Sequence, residues 1–180
     1  MKKNVLFIHS AGVQGLHQGS SDLITYLKES LGDEYSFICP KMPNLDFMLW
    51  EDLLVREFAA LDGEVLLISH SLGGSVLVKY LSEKTINCSI SGLFLIAAPF
   101  WGKDDDWQVN EYILRENFPT TLPHISQVFL YHSRNDKVVP FAHLGHYKQT
   151  LPMAKTHILD DDGHYFNNGL PKLVADIKEL

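Results

Sequence analysis

At 180 residues the chain is long enough for one domain, taken as residues 1–180, with a substantial core, and too short for two ordinary ones. Hydrophobic residues at 46% and charged residues at 21%, with no low-complexity tract or internal repeat, exclude a disordered or fibrous chain. A net charge of −7 without a basic stripe argues against a nucleic-acid partner, and no stretch approaches the roughly 20 apolar residues of a membrane span.

Met1-Lys2-Lys3 resembles the basic start of a signal peptide, but the apolar run Val5 to Ile8 is cut by His9-Ser10, short of the roughly 7 residues an h-region needs. Cys39 and Cys88 lack the spacing of a zinc site or redox motif and read as buried thiols, so a cytoplasmic protein is expected.

Asn4 to Ile8 is apolar without alternation and reads as a strand buried on both faces, followed by the small-residue loop His9-Ser10-Ala11-Gly12. Leu23, Leu27 and Leu31 then recur at helical spacing behind the cap candidates Ser20, Ser21 and Asp22, and Gly32 ends the helix. Tyr35 to Cys39 is the second strand. Asn44 or Asp46 opens a helix with Phe47, Trp50, Leu54, Phe58 and Leu61 on one face, closed by Gly63.

Glu64 to Ile68 is the third strand, and Ser69-His70-Ser71-Leu72-Gly73-Gly74 turns it sharply into a helix carrying Val76, Leu77, Tyr80 and Leu81. Gly92 to Ala97 and Gln127 to His132 are further strands. The segment Phe100 to Ser126 between them, with Trp101, Trp107 and two prolines, reads as a surface flap with a short helix around Val109 to Arg115. A helix over Phe141 to Thr150, a last strand over Lys155 to Leu159 and a helix starting at Pro171 complete the chain. Alternating elements of this kind predict a six-stranded parallel sheet between two helix layers.

Parallel sheets bind ligands at the carboxyl ends of their strands, and the chemistry-bearing residues fall in those loops. A serine at the apex of a strand-to-helix turn has an exposed hydroxyl and nearby helix N-terminal amides, which makes Ser71 the candidate nucleophile. Serine needs a base near neutrality, and the base needs a carboxylate on its other nitrogen. His164, after the last strand, and Asp136, after the fifth, fill those roles; Asp160, Asp161 and Asp162 rank lower because a carboxylate adjacent along the chain rarely reaches Nδ1 of that histidine. Oxyanion donors are expected from the amides of Leu72 and Ala11, and His9, Ser10, His70 and Trp101 are expected at the substrate.

The order Ser71, Asp136, His164, with His9-Ser10-Ala11-Gly12 after the first strand, resembles the α/β-hydrolase superfamily. More narrowly, Ser69 to Gly74, Ala98-Pro99-Phe100-Trp101-Gly102, Asp136 to Pro140 and Gly163-His164 resemble the small serine hydrolases similar to retinoblastoma-binding protein 9 and the YdeN-like proteins. The resemblance implies a minimal α/β-hydrolase sheet, a Ser-Asp-His triad on those three residues and a flap at 100–126 in place of a cap domain, leaving a shallow, open pocket. Ser69 and Ser10 depart from it, standing where glycines are usual.

The expected activity is hydrolysis of a small carboxylic ester through an acyl-enzyme; thioester and amide hydrolysis would use the same parts. The rival is an idle hydrolase fold that binds a protein through its aromatic flap. His143 and His146 have the spacing of metal ligands, but no third ligand type accompanies them and a surface helix face explains them. No metal, phosphate loop or dinucleotide fingerprint is read, so no cofactor is expected, and monomer and homodimer stay equally open.

Overall fold

The computed structural model describes residues 2–43 and 47–180. Among them are strands β1 (Lys3–Ile8), β2 (Tyr35–Ile38), β3 (Glu64–His70), β4 (Ser89–Ile96), β5 (Val128–Ser133) and β6 (Lys155–Leu159). The helices are α1 (Ser21–Leu31), α2 (Phe47–Ala59), α3 (Leu72–Glu83), α4 (Phe118–Thr121), α5 (Ala142–Thr150) and α6 (Pro171–Lys178). Asn44 and Asp46, expected to open the second helix, lie outside the described residues.

The strands form one parallel sheet in the order β2-β1-β3-β4-β5-β6, which is the architecture the alternating pattern predicts. Successive side chains of a strand point to opposite faces, so apolar runs without alternation supply two cores at once. Leu6, Ile8, Val65, Leu67, Leu93, Leu95 and Leu130 pack with Trp50, Leu54 and Phe58 of α2, Leu77 and Leu81 of α3, and Leu144 of α5. Val5, Phe7, Leu66, Ile68, Phe94, Ile96 and Phe129 pack on the other face with Leu23, Leu27 and Leu31 of α1 and Leu173 and Ile177 of α6.

Three departures from the sequence reading have local causes. β4 begins at Ser89, three residues early, because a bulge at Ser91 lets Ser89 and Ile90 pair with Glu64 and Val65 before the register resumes at Gly92; the polar serines mask this start. β3 runs on through Ser69 and His70, paired with Leu95 and Ile96, so the turn begins at Ser71 itself. The flap carries one 3-10 turn at Asn110–Tyr112 and the four-residue α4, with Pro119 in its first turn, in place of a helix over 109–115. Cys39 and Cys88 are half-buried free thiols that pack on opposite cores. No helix among the described residues is long and apolar enough to cross a membrane.

Candidate active site

The turn from β3 into α3 is tight, and the residues around Ser71 show why. Ser71 has φ of +54°, a region costly for any residue with a Cβ, and its amide donates to the Ile96 carbonyl at 2.8 Å while its own carbonyl accepts from the Gly74 amide at 2.9 Å. A Cβ on Gly73 would lie 2.5 Å from the His9 carbonyl oxygen and 2.7 Å from that of Ile8, and one on Gly74 would lie 2.6 Å from Ala98 Cβ. Only glycine lets α3 pass β1 and β4 this closely. Ser69, in the usual place of a glycine, is enclosed, and its hydroxyl donates to the Phe94 carbonyl at 3.4 Å.

Asp136 and His164 come to Ser71 from the loops after β5 and β6. The Ser71 hydroxyl lies 3.0 Å from His164 Nε2, and His164 Nδ1 lies 2.8 Å from Asp136 Oδ2. The sequence-predicted trio is therefore one hydrogen-bonded chain, each member more than nine-tenths buried. The Asp136 Oδ1 atom accepts the Val138 and Val139 amides at 2.8 and 2.9 Å. Burial alone would push this carboxyl up, but hydrogen bonds from His132 and His164, the His164 charge and the Val138 amide outweigh it and hold the group well below the usual carboxylate range. Asp160, by contrast, is exposed and faces Arg134 at 3.2 Å.

Residues the sequence reading did not single out keep these loops in register. The Ser133 hydroxyl donates to Asn135 Oδ1 at 2.7 Å and accepts from the Asp162 amide at 3.1 Å, and Asn135 Oδ1 also accepts from the Gly163 amide at 2.8 Å. Phe166, with φ of +52°, is buried in the core beneath and anchors the far side of the His164 loop. Their one sequence signal was a pair of small polar residues at a strand's carboxyl end.

One residue expected at the substrate, His70, is instead an internal support. His70 is fully enclosed: its Nε2–H donates to the His164 carbonyl oxygen at 2.8 Å, so Nδ1 is bare and accepts from the Ser20 hydroxyl at 2.7 Å. Ser20 sits at the N-cap of α1 yet makes no cap bond, because its side chain serves this network, taking the Ser10 amide at 3.0 Å as well. Ser10 is 2% and His9 5% exposed, His9 thus as enclosed as His164 itself. Burial, then the neighbouring His164 charge, lowers His70 to about 3, and burial lowers His9 too. These imidazoles carry no charge at neutral pH.

The loop from His9 to Gly19 is tied to the stretch after β2 by Gln14, whose amide donates to the Met42 carbonyl at 3.0 Å and accepts from the Met42 amide at 2.9 Å. Ser10's amide is engaged by Ser20, and the half-buried Ala11 follows it in the loop. Ala11, Gly12, Val13, Gly19, Tyr165 and Asn167 are among the residues that line an open groove of about 290 Å³ on the same rim. A more enclosed cavity of about 300 Å³ lies at the opposite edge, between Lys2, Asn4, Asp62, Glu64 and Leu180. It sits at the amino ends of the strands, whereas the groove is lined by the loop after β1 and by Tyr165, next to His164, at their carboxyl ends, which makes the groove the better candidate.

The flap leaves the sheet under firm anchorage. Pro99 O accepts the hydroxyls of Ser75 and Tyr147 at 2.7 and 3.1 Å, the Phe100 amide donates to His143 Nδ1 at 2.8 Å, and the Trp101 indole N–H donates to Ser75 at 3.1 Å. Trp101, partly exposed, also packs with Trp107 and Tyr112, with ring centroids 4.8 and 4.9 Å away. His143 corrects the expectation of a surface face, because it is fully buried, with burial lowering its pKa, while His146 is half-buried beside Asp104. Among the described residues no group of three His, Cys, Asp or Glu side chains could hold a metal ion.

Solved structures share this arrangement of strands and helices. The ydeN gene product of B. subtilis superposes with a TM-score of 0.79 at 20% identity, covering 99% of this chain and 98% of its own. Est1E from Butyrivibrio proteoclasticus gives 0.70 at 16% identity over 99% and 86%, and the esterase EaEST from Exiguobacterium antarcticum gives 0.64 at 14% over 98% and 91%. At these identities the likeness speaks to the fold, which is that of the α/β-hydrolases. No protein of curated function matches in sequence. The sequence itself speaks to more than the fold: residues 26–169, four-fifths of the chain and enough to include the elbow serine, the loop aspartate and the loop histidine, match the serine hydrolase family, and the chain belongs to it.

Proposed function

We propose that this serine hydrolase is a carboxylesterase acting on a small acyl ester through an acyl-enzyme. The observation that carries the reading is the continuous contact Ser71–His164–Asp136, at 3.0 and 2.8 Å, at the foot of an uncapped helix N-terminus. His164 Nε2 takes the Ser71 proton as Oγ attacks the ester carbonyl carbon, and Asp136 holds the Nδ1 proton and stabilises the imidazolium. The oxyanion accepts from the amides of Leu72, at the first turn of α3, and Ala11; donors aimed this way are worth on the order of 3 kcal/mol each. His164 then returns the proton to the departing alkoxide, and a water activated by the same nitrogen releases the acid.

Turnover of ester, thioester and anilide panels, with fluorophosphonate labelling read by intact mass, tests this reading. A single adduct on wild type, absent in Ser71→Ala and His164→Ala, with esters turned over fastest, is the expected result. Folded wild type that neither labels nor turns over any panel would sink it.

A further inference from the structure

Asp136 has one polar neighbour more than orienting His164 and closing its own turn require. The Oδ2 atom that faces His164 Nδ1 at 2.8 Å also lies 3.3 Å from Nε2 of His132, a residue of β5 whose side chain is 1% exposed. That same nitrogen lies 3.0 Å from the Val139 carbonyl oxygen. A carbonyl and a carboxylate can only accept, so Nε2 of His132 carries the proton, directed at the Val139 carbonyl and within reach of the carboxylate. With the Val138 and Val139 amides on Oδ1, both oxygens of the carboxylate are fixed and its plane cannot turn.

We propose that His132 is a positioning residue for the hydrolytic reaction, donating its Nε2–H to Asp136 Oδ2 so that the carboxylate meets His164 in one orientation with a shared lone pair. The proposal rests on the roles assigned above to Ser71, His164 and Asp136. A second donor on Oδ2 divides the carboxylate's charge between two partners, so the direction and strength of its hold on the His164 Nδ1 proton depend on His132. Other groups around the pair do not substitute for it. The His70 and Tyr165 rings lie 4.9 and 5.0 Å from that of His164, the Phe141 edge meets His132 at 5.8 Å with the Arg134 guanidinium over its face, and His143 acts on His132 only through charge.

The test compares wild type with His132→Gln, whose amide can donate where Nε2 lies, and His132→Phe, which fills the space without a donor. Ring-nitrogen NMR of ¹⁵N-histidine protein reads the proton directly, and a bare His132 Nε2 at neutral pH would overturn the proposal. The rate of fluorophosphonate labelling at Ser71 is then followed against pH. His132→Phe is expected to label about ten-fold more slowly at neutral pH, with its acidic limb displaced, and His132→Gln to stay within about two-fold of wild type. A superimposable His132→Phe profile, or equal losses in both variants with the limb unmoved, overturns it. His132→Asn, whose amide falls short of Oδ2, replaces a His132→Phe that does not fold. Wild type that does not label overturns the ester hydrolase reading, while the nitrogen spectrum still decides where the His132 proton lies.

Discussion

Among the described residues two buried aspartates each face a histidine, and the difference between them shows what the sheet's carboxyl rim contributes. Asp136 and Asp176 have side chains 0% and 4% exposed. Asp176, on α6, accepts the Tyr131 hydroxyl at 2.7 Å, lies 3.0 Å from His157 Nε2 and pairs with Lys172 at 3.0 Å. Its histidine belongs to the body of β6, and the ring stacks on Tyr131 and Phe129 at 5.0 and 6.3 Å. His164 stands in the loop beyond the same strand, and its second nitrogen faces Ser71. A carboxylate and an imidazole make a buried pair anywhere; they serve a nucleophile only where the histidine leaves the strand and its other nitrogen is presented at the rim.

The largest effect that would break this comparison is on turnover. Asp136→Asn keeps the shape but is expected to lower kcat/KM for the best ester by about 10³- to 10⁴-fold, since the His164 tautomer is no longer held. A loss under ten-fold would return Asp136 to the same structural status as Asp176. Asp176→Ala should do the reverse. It orphans a buried tyrosine hydroxyl and is expected to cost about 3 kcal/mol in urea unfolding, with kcat/KM at 20 °C within about two-fold of wild type.

Acid separates the two sites next. His70, His9, His143 and His157 are held below their ordinary value of 6.5, by burial first in each case, so the unfolded chain takes up their protons earlier. Their contribution to stability is complete above pH 6.5 and falls as the pH drops from there, for His70 down to about 3. The Asp136 carboxyl is likewise held low, so its contribution is complete above the ordinary carboxylate value and is lost only as the pH falls on through its folded value. The urea midpoint should therefore decline between pH 7 and pH 5, and His70→Gln should flatten that decline. An unchanged midpoint over this interval would mean the imidazoles open to solvent.

The smallest effect concerns the flap. Trp101→Phe removes the indole N–H to Ser75 but keeps a ring among Trp107 and Tyr112, and is expected to cost about 1 kcal/mol with ester KM changed less than about three-fold. A ten-fold rise in KM at constant stability would make Trp101 a substrate contact.

Much of this protein is legible before folding because its signals are local. A run such as Val5-Leu6-Phe7-Ile8 can satisfy its backbone and bury every side chain only between two helix layers, and Ser71 between small residues can only be a sharp turn. The strand-loop positions of Asp136 and His164 follow from the same periodicity. His70 was misplaced at the substrate because its position beside Ser71 says nothing about which way a strand's side chain points; alternation sends Ser71 to the rim and His70 into the protein. His143 was misplaced because an i, i+3 pair on a polar helix looks exposed until the flap folds over it.

The amino-acid sequence by itself determined the parallel sheet, the elbow at Ser71 and the three residues that meet there, since each depends on contacts within a few residues or on the order of elements. Only the tertiary structure decided that Ser20, His70 and the His164 carbonyl form one network, that Ser133 and Asn135 lock two loops together, and that His132 Nε2 comes within 3.3 Å of Asp136. Those contacts join residues from separate elements, and their distances are fixed by how the strands twist and the loops pack rather than by any spacing along the chain.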